Sequence, residues 1–341
     1  LLNMGGGATM ASISSIACIG AGLAGVTCAR VLHDHGWRPR LFDKGRGLGG
    51  RTSTRRHSDT LRFDHGASYF TARSEPFRAH LKAWRDSQVA APWTGRVCVL
   101  DQGQLRDAAA AERYVGIPGM NALLHHDAQG LDAHCNVRVQ NMARTSSGAW
   151  QLTDPEGSLL GTFDLVIVAI PAPQAAQLLP SGSNLQRIAA SATMDPCWTA
   201  LAAWDHPLDL PFDAATVHDS PLAWIAHDSH KPHRPPGERW VLQASPRWSR
   251  HYLEHTREAI APLMLDALRH AAPCSVAEPT FITAHRWRFA LPSPALDRRA
   301  LFDPDLRLGV CGDWCLMPRV EGAFLSGLHL AQQVLPLLAS T

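Results

Sequence analysis

The sequence lacks the features that mark several protein classes. Its 341 residues carry a formal net charge of only +2, so global charge predicts neither a nucleic-acid partner nor binding to an acidic membrane surface. Eight cysteines are scattered without a CxxC pair, which indicates reduced thiols in a cytoplasmic protein. No uninterrupted apolar run reaches the roughly 18 residues of a membrane-spanning helix. Cys311 and Cys315 are close, but a zinc site needs further ligands nearby, so no metal is expected.

The first residues give no targeting signal. The apolar segment 13–32 lacks a preceding basic region, and Gly20, Gly22 and Gly25 interrupt it, which is a poor export pattern. Residues 1–11 are expected to be disordered, or to precede a true start at Met10.

A dinucleotide fingerprint follows. Residues 15–25, SIACIGAGLAG, run from an apolar strand into G-x-G-x-x-G, and helical spacing continues to Gly36. A second strand over residues 38–43 ends in Asp43, 18 residues after the last glycine. Together these elements predict a β-α-β unit that holds a pyrophosphate at the helix N-terminus and a ribose on Asp43. The expected contacts are Gly20, Ala21, Gly22, Gly25 and Asp43.

A second glycine-rich, cationic stretch comes directly after Asp43. Residues 42–56 read FDKGRGLGGRTSTRR. NAD-binding folds do not usually need such a loop, whereas the longer FAD can be contacted from a second side, with Arg51 offered to phosphate oxygens. The stretch resembles the GG-doublet flavoproteins, whose FAD domain is of the glutathione-reductase type. The resemblance implies FAD contacts at Lys44, Gly49, Gly50 and Arg51.

Further segments resemble the renalase family, within the flavin amine oxidases. These segments are FDHGASYFTAR (63–73), YVGIPGMNAL (114–123), HRWRFALP (285–292), GDWC (312–315) and RVEGAFLSG (319–327). The resemblance implies an FAD-dependent oxidase that converts 2- or 6-dihydro isomers of NAD(P)H to NAD(P)+. Oxygen would reoxidise the flavin and give hydrogen peroxide.

The same resemblance implies most of the remaining contacts with FAD. Gly66 and Ala67 belong to the first of these segments, the backbone near Val137 would hold the adenine, and Gly312 with Asp313 would hold the ribityl chain or phosphate. The N-terminus of the last helix would point at the flavin, where its dipole favours the anionic reduced ring. Its residues are Val320, Glu321, Gly322 and Ala323.

No nucleophile–base pair is found, because the flavin supplies the redox chemistry. Candidates for the substrate site are Tyr69, Arg73, Trp224, Gln243, His285 and Trp287. The aromatic members could instead be core residues, and Arg73 could meet a surface carboxylate. Gln243 stands where renalases are expected to have histidine, which leaves the substrate preference open.

The loop HDSHKPHR offers two further hypotheses. His227, His230 and His233 are spaced like metal ligands, but a Pro-rich, solvated loop is favoured. Lys231 and Arg234 could attract a phosphorylated substrate.

The expected fold is α/β. A discontinuous FAD-binding domain of glutathione-reductase type would comprise residues 12–73, 114–175 and 284–341, and a mixed-sheet α+β substrate domain residues 74–113 and 176–283. Specific expectations are hairpin strands over 135–139 and 149–153, and one helix over 249–271.

Three rival functions remain. A flavin amine oxidase acting on a small amine would want a lysine bonded through water to the flavin, and none of Lys44, Lys82 and Lys231 lies in a matching segment. A desaturase or isomerase acting on a lipid would require an apolar membrane-binding stretch, which the sequence lacks. A non-catalytic dinucleotide sensor would be redox-silent.

Overall fold

The computed structural model describes residues 13–101 and 103–339. The segment 1–11, expected to be disordered, lies outside the described residues. Twenty strands form in the described part of the chain: β1 (Ile16–Ile19), β2 (Arg40–Asp43), β3 (Thr54–Arg56), β4 (Arg62–Asp64), β5 (Ala90–Pro92), β6 (Val97–Asp101), β7 (Gln104–Asp107), β8 (Tyr114–Gly116), β9 (Asp132–Cys135), β10 (Asn141–Arg144), β11 (Trp150–Thr153), β12 (Leu159–Phe163), β13 (Leu165–Val168), β14 (Met194–Trp204), β15 (Ala214–Val217), β16 (Leu222–His227), β17 (Glu238–Ala244), β18 (Phe281–Pro292), β19 (Leu301–Asp303) and β20 (Leu308–Val310).

The helices in these ranges are α1 (Leu23–Asp34), α2 (Glu75–Asp86), α3 (Ala122–Asp127), α4 (Ala172–Leu178), α5 (Asn184–Ser191), α6 (Pro246–His251), α7 (Arg257–Ala271), α8 (Asp313–Leu316) and α9 (Val320–Ala339). Two short 3-10 turns occupy Gly50–Thr52 and Asp228–His230.

The first sheet has six strands in the order β19-β20-β13-β1-β2-β9. All pairs are parallel except the edge pair β19–β20. The chain proceeds outward from β1 to β2 and β9, then returns to the other side of β1 with β13. This reversal makes the carboxyl ends of β1 and β13 the point where such sheets bind ligands.

Successive residues of β1 contribute to two different cores. Ile16 and Cys18 pack with α1, α2 and α9, whereas Ala17 and Ile19 pack with α4 and α5. Because side chains alternate along a strand, this division explains why every residue of β1 is buried.

Helix α9 is long and apolar enough to pass as a membrane span, with a mean hydropathy of 1.2. Half of that window is buried in the protein, and α9 crosses α1 so closely that a side chain at Gly327 would clash with the Ala24 carbonyl. This packing accounts for the apolar character of the helix.

The second sheet has seven strands in the order β18-β14-β17-β16-β15-β6-β7. One face is covered by α7, whose residues Ile260, Met264 and Leu268 pack on it. On the opposite face, Leu201 and Val241 pack against Phe63 of β4. The second sheet therefore turns one face toward the segment that follows the glycine-rich loops.

Several expectations about elements are corrected. The helix expected over 249–271 is two helices, because the chain leaves α6 after His251 and Thr256 caps α7 by accepting a bond from Ala259 N. Residues 135–139 are not a hairpin strand: β9 joins the parallel sheet, and β11 pairs with β10 and β12.

Some predicted domain boundaries also do not coincide with the division of the elements between the two sheets. The boundary at residue 284 falls inside β18, which pairs with β14 from Phe281 to Pro292. Helices α2 and α5 were assigned to the substrate domain, and the boundary at residue 175 divides α4, yet all three helices pack on the parallel sheet. Local composition does not show which core such an amphipathic helix joins.

Candidate active site

The first glycine loop is shaped by contacts that exclude side chains. Gly20 has φ +106°, and a Cβ there would lie 2.5 Å from the Ala169 carbonyl oxygen. A Cβ on Gly25 would clash with the Gly20 carbonyl, so α1 can start close against β1 only with glycine there. A Cβ on Gly22 would meet no heavy atom within 4 Å. The space in front of Gly22 is therefore open to a ligand.

Asp43 ties this loop to the next one. Its Oδ2 accepts a hydrogen bond from Ala21 N at 2.7 Å, and its Oδ1 accepts one from Gly45 N at 2.6 Å. Each oxygen keeps a further lone pair for a ribose hydroxyl. The Asp43 carboxylate is thus held in position by backbone groups of both loops.

The second glycine loop lies directly over the first. Gly49 N donates to the Ala21 carbonyl at 3.2 Å, and a Cβ on Gly50 would lie 3.3 Å from Gly22 Cα. The N-terminus of α1 has no side-chain cap and no acidic residue in its first turn. Unpaired N–H groups and the helix dipole therefore favour an anion at this open point, and the residues present fit the pyrophosphate of a dinucleotide.

Arg51 does not reach into open space. Its guanidinium donates to both carboxylate oxygens of Asp313, at 2.7 and 2.6 Å, and to the Ala290 carbonyl at 3.0 Å. Two residues expected to contact the cofactor separately are therefore paired with each other. Ala67 N donates to the Arg51 carbonyl, and a side chain on Gly66 would clash with that carbonyl, so the segment 65–67 runs along the same loop.

Glu321 lies in the first turn of α9 and is buried. Its carboxylate accepts hydrogen bonds from Arg73 N at 3.2 Å and from both N and Oγ of Ser74 at 2.6 Å. The side chain thus positions the start of α2 beside the start of α9, and Arg73 itself is exposed there. Gly312 N, nearby in the chain, donates to Ser326 Oγ at 3.0 Å.

At the predicted adenine contact, the backbone N–H of Val137 has a partner within the protein. Val137 N donates to the Asp43 carbonyl at 2.9 Å, so this N–H is already engaged. Lys44, which follows Asp43, is exposed, and partial desolvation, with Arg138 second, lowers the pKa of its ammonium.

Three of the substrate candidates lie in one row across the second sheet. Trp224 on β16 is opposite Gln243 on β17. Gln243 is opposite Thr199 on β14, which is opposite His285 on β18. Directly opposed residues of antiparallel strands share a face, and this row alternates with the residues that pack under α7.

The row contacts the segment that runs along the Arg51 loop. Gln243 Nε2 donates to the Gly66 carbonyl at 2.6 Å, and Trp287 Nε1 donates to the His65 carbonyl at 2.8 Å. Tyr69 packs on Trp224 with ring centroids 5.4 Å apart. Five candidates, Tyr69, Trp224, Gln243, His285 and Trp287, are therefore gathered on the side of the sheet that faces the two glycine loops.

His65 was missed by the sequence analysis. It is buried between His285 and Trp287, with ring centroids 4.8 Å from each. Burial, helped by the neighbouring His285 and Arg55, lowers the pKa of His65 to about 3, and burial with Arg55 and Arg257 lowers that of His285 to about 4. Both imidazoles are neutral near pH 7. Its position directly before Gly66 in the segment FDHGASYFTAR could have indicated that His65 belongs to the site.

The predicted role of Lys231 and Arg234 is not supported. Both side chains are buried, and both donate to Asp64 Oδ2, at 3.2 and 2.6 Å; Lys231 also donates to Asp228 at 2.6 Å. They form an internal ion cluster, so neither is free to attract substrate. His227 is likewise buried at the end of β16, so the stretch is not simply a solvated loop.

Comparisons with known proteins identify the family and the fold. Residues 18–85 match the model of an NAD(P)-binding Rossmann-like domain, and residues 93–335 match that of the flavin containing amine oxidoreductases. Renalase of Mus musculus is 23% identical over 311 residues, which cover 84% of this chain and 88% of renalase.

Two solved structures share the fold. Cyclohexylamine oxidase from Brevibacterium oxydans IH-35A has a TM-score of 0.74 at 14% identity, covering 96% of this chain and 100% of that one. Putrescine oxidase bound to putrescine has a TM-score of 0.71 at 11% identity, covering 95% and 99%.

Proposed function

Because the chain belongs to the family of flavin containing amine oxidoreductases, we propose that it is a renalase-type oxidase of 2- or 6-dihydro isomers of NAD(P)H. It is an FAD-dependent oxidoreductase, and we assign its FAD domain to the glutathione-reductase type. When bound, FAD supplies acceptance of the substrate hydride and reoxidation by dioxygen, giving NAD(P)+ and hydrogen peroxide.

One observation carries this proposal: the wall of flat rings beside the glycine loops holds neutral groups. Tyr69, Trp224 and Trp287 offer ring faces and edges for a planar substrate. His65 and His285 stay uncharged because their pKa values are about 3 and 4. Hydride loss from a dihydronicotinamide needs no proton transfer but produces a cationic ring. The ring faces of a neutral aromatic wall stabilise such a cation through cation–π contacts.

The second feature is a group of three arginines, Arg46, Arg55 and Arg257, near His285 at the edge of the aromatic wall. Arg55 and Arg257 are close enough to His285 to lower its pKa, and Arg46 and Arg257 both lower the pKa of Arg55, after burial. Phosphate groups of a nucleotide substrate would relieve this mutual repulsion. This cluster, rather than Lys231 and Arg234, is the phosphate-binding group in our proposal.

The rival activity, oxidation of a small amine, has less support. Lys231 is held in the ion cluster, Lys82 pairs with Asp86 at 2.6 Å on the surface of α2, and Lys44 lies beside Asp43. These are the three lysines of the chain. None lies in the row of residues on the second sheet, where a lysine bonded through water to the flavin would be wanted.

The test is anaerobic stopped-flow mixing of the FAD-loaded protein with each reductant, followed by the visible absorbance of oxidised flavin. We expect rapid bleaching by 2- or 6-dihydro-NAD(P) and none by ordinary NADPH or by simple amines. Bleaching by amines alone would reject the proposal in favour of the rival activity. Absence of bleaching by every compound would reject both.

A variant tests the phosphate-binding group separately. Arg257→Ala is expected to raise KM for 2-dihydro-NAD(P), while KM for the corresponding dihydronicotinamide riboside, which has no phosphate, stays unchanged. Equal effects on the two substrates would exclude Arg257 from phosphate binding. Lys82→Ala, on the surface of α2, is the matched control for loss of one positive charge.

A further inference from the structure

A second group of polar side chains converges on the α7-covered side of the second sheet. One ligand atom from each of Asp213, His227 and His230 lies within 4.8 Å of the others. A cavity of about 660 Å³ opens beside them and is lined by all three, together with Glu238. His233, the third histidine of the sequence pattern, is exposed and is not in this group.

The hydrogen bonding of His227 leaves one of its ring nitrogens available to a metal ion. The Gly237 backbone accepts a hydrogen bond from its ring, and the ring stacks on Trp240 with centroids 4.5 Å apart. Its Nε2 is buried without a hydrogen-bond partner among the described residues, and the residue is only 4% exposed. Metal-bound histidines typically donate one ring N–H to a backbone carbonyl and leave the other nitrogen free for the ion.

A carboxylate oxygen faces this nitrogen. Glu238 Oε2 lies 3.4 Å from His227 Nε2. The other oxygen, Oε1, already accepts hydrogen bonds from Leu208 N at 3.1 Å and Trp240 Nε1 at 2.6 Å. The carboxylate oxygen therefore lies near the unpaired ring nitrogen in a buried place, although the two form no hydrogen bond, and a cation close to both would compensate for their burial.

Asp213 and His230 complete the group from the solvent side. Asp213 Oδ2 accepts a bond from Arg96 N at 2.6 Å, which orients the carboxylate, and its Oδ1 is 2.7 Å from His230 Nδ1. The His230 ring stacks on His227 with centroids 3.5 Å apart, but its side chain is 57% exposed. Because the side chain is exposed, a change of rotamer that breaks its contact with Asp213 would let both imidazoles face one ion.

We propose that Asp213, His227 and His230 bind a divalent transition-metal ion, with Glu238 as the nearest additional oxygen ligand. Two imidazoles and carboxylate oxygen suit Zn²⁺, whereas Ca²⁺ and Mg²⁺ prefer oxygen ligands alone. The group lies on the face of the sheet opposite the row of Trp224, Gln243 and His285, so the ion is structural.

The ion would fasten the loop between β16 and β17. His227 and His230 begin this loop, whose later residues Lys231 and Arg234 reach Asp64 in the internal ion cluster. Asp213 immediately precedes β15, the neighbouring strand. The ion would therefore fix the loop to β15 at one end while the ion cluster fixes it to β4 further along.

The experiment measures metal content and stability of the FAD-loaded protein. After equilibration with Zn²⁺ or Co²⁺ and removal of excess metal, we expect one ion per chain, tetrahedral Co²⁺ bands in the visible spectrum, and a Tm raised by Zn²⁺. His230→Ala, at an exposed position, is expected to abolish all three effects while the FAD content stays unchanged. His227→Gln is expected to do the same.

His233→Asn is the matched control, because His233 lies in the same loop at φ 58°, which asparagine tolerates. It is expected to keep the bound ion and the Zn²⁺-dependent rise in Tm. Failure of the unmodified protein to bind the ion would overturn the proposal. Equal binding by the His230→Ala and unmodified proteins would overturn it as well.

Discussion

The guanidinium of Arg51 binds both carboxylate oxygens of Asp313, although 262 residues separate them in the sequence. Arg51 belongs to the second glycine loop, and Asp313 begins α8 directly after β20. The pair therefore joins the start and the end of the dinucleotide-binding fold beside the glycine loops at which we expect FAD to bind. Because the two charges cancel, Arg51 orders this part of the fold, and a contact with a cofactor phosphate stays a prediction for it.

Replacement of Arg51 by alanine tests this double role. Asp313 is nearly buried and would be left without its partner, so we expect Arg51→Ala to lower the free energy of unfolding by about 3 kcal/mol. We also expect weaker retention of FAD. Chemical denaturation and titration of the apoprotein with FAD measure the two effects.

The double variant Arg51→Ala/Asp313→Asn separates them. Removal of the unpaired carboxylate is expected to restore most of the stability but not the FAD affinity. Unchanged FAD affinity in both variants would show that Arg51 is structural only.

Alanine substitutions at two glycines of the first loop are expected to have opposite effects on stability and FAD binding. A methyl group at Gly22 meets no heavy atom of the protein, so Gly22→Ala should fold normally and lose FAD, because the methyl group lies where the pyrophosphate approaches. Gly25→Ala would clash with the Gly20 carbonyl and should lose at least about 2 kcal/mol of stability even as apoprotein. Melting curves of the two apoproteins, with their FAD contents, distinguish these outcomes. Equal Tm values for the two variants would contradict the prediction.

The sequence predicted the features that have local causes. Gly20, Gly25 and Asp43 lie within one β-α-β unit, and the spacing of such residues reflects contacts inside that unit. The strands β1 and β2 and the helix α1 were predicted for the same reason.

Partners that are distant in the sequence were not predicted. Gln243 meets Gly66 across 177 residues, and Lys231 meets Asp64 across 167. The row of Trp224, Gln243 and His285 depends on the register of four paired strands, which no local pattern determines. A motif can therefore indicate that a residue belongs to the site without showing what it contacts.

Two histidines, His65, which is buried, and His285, which is partly buried, predict a loss of stability in acid. The pKa of His285 is about 4 in the folded protein and near 6.5 when unfolded, so the folded state binds fewer protons between these values. The contribution is complete above about pH 6.5 and is lost as the pH falls toward 4, at up to roughly 1.4 kcal/mol per pH unit. We expect His285→Gln to weaken this dependence, measured by denaturation between pH 7.5 and 4.5. Identical pH dependence in the variant would show that His285 does not contribute.

The ion cluster of Asp64, Asp228, Lys231 and Arg234 has two charges of each sign, and its side chains are almost wholly buried. Burial raises the pKa of Asp64, but Lys231 and Arg234 outweigh it and hold that pKa well below its usual range. Asp64→Asn is therefore expected to leave excess buried positive charge and to cost about 3–5 kcal/mol of stability.

A double replacement tests whether charge balance, rather than packing, accounts for the contribution of the ion cluster to stability. Asp228→Asn/Lys231→Met removes one charge of each sign, so it is expected to be clearly more stable than Lys231→Met alone. Lys82→Met, which breaks an exposed pair on α2, should change stability little and serves as the control. Urea denaturation of Asp64→Asn, Lys231→Met, the double variant and Lys82→Met provides the comparison. If Lys231→Met were no less stable than the double variant, packing rather than charge would hold β4 against the loop between β16 and β17.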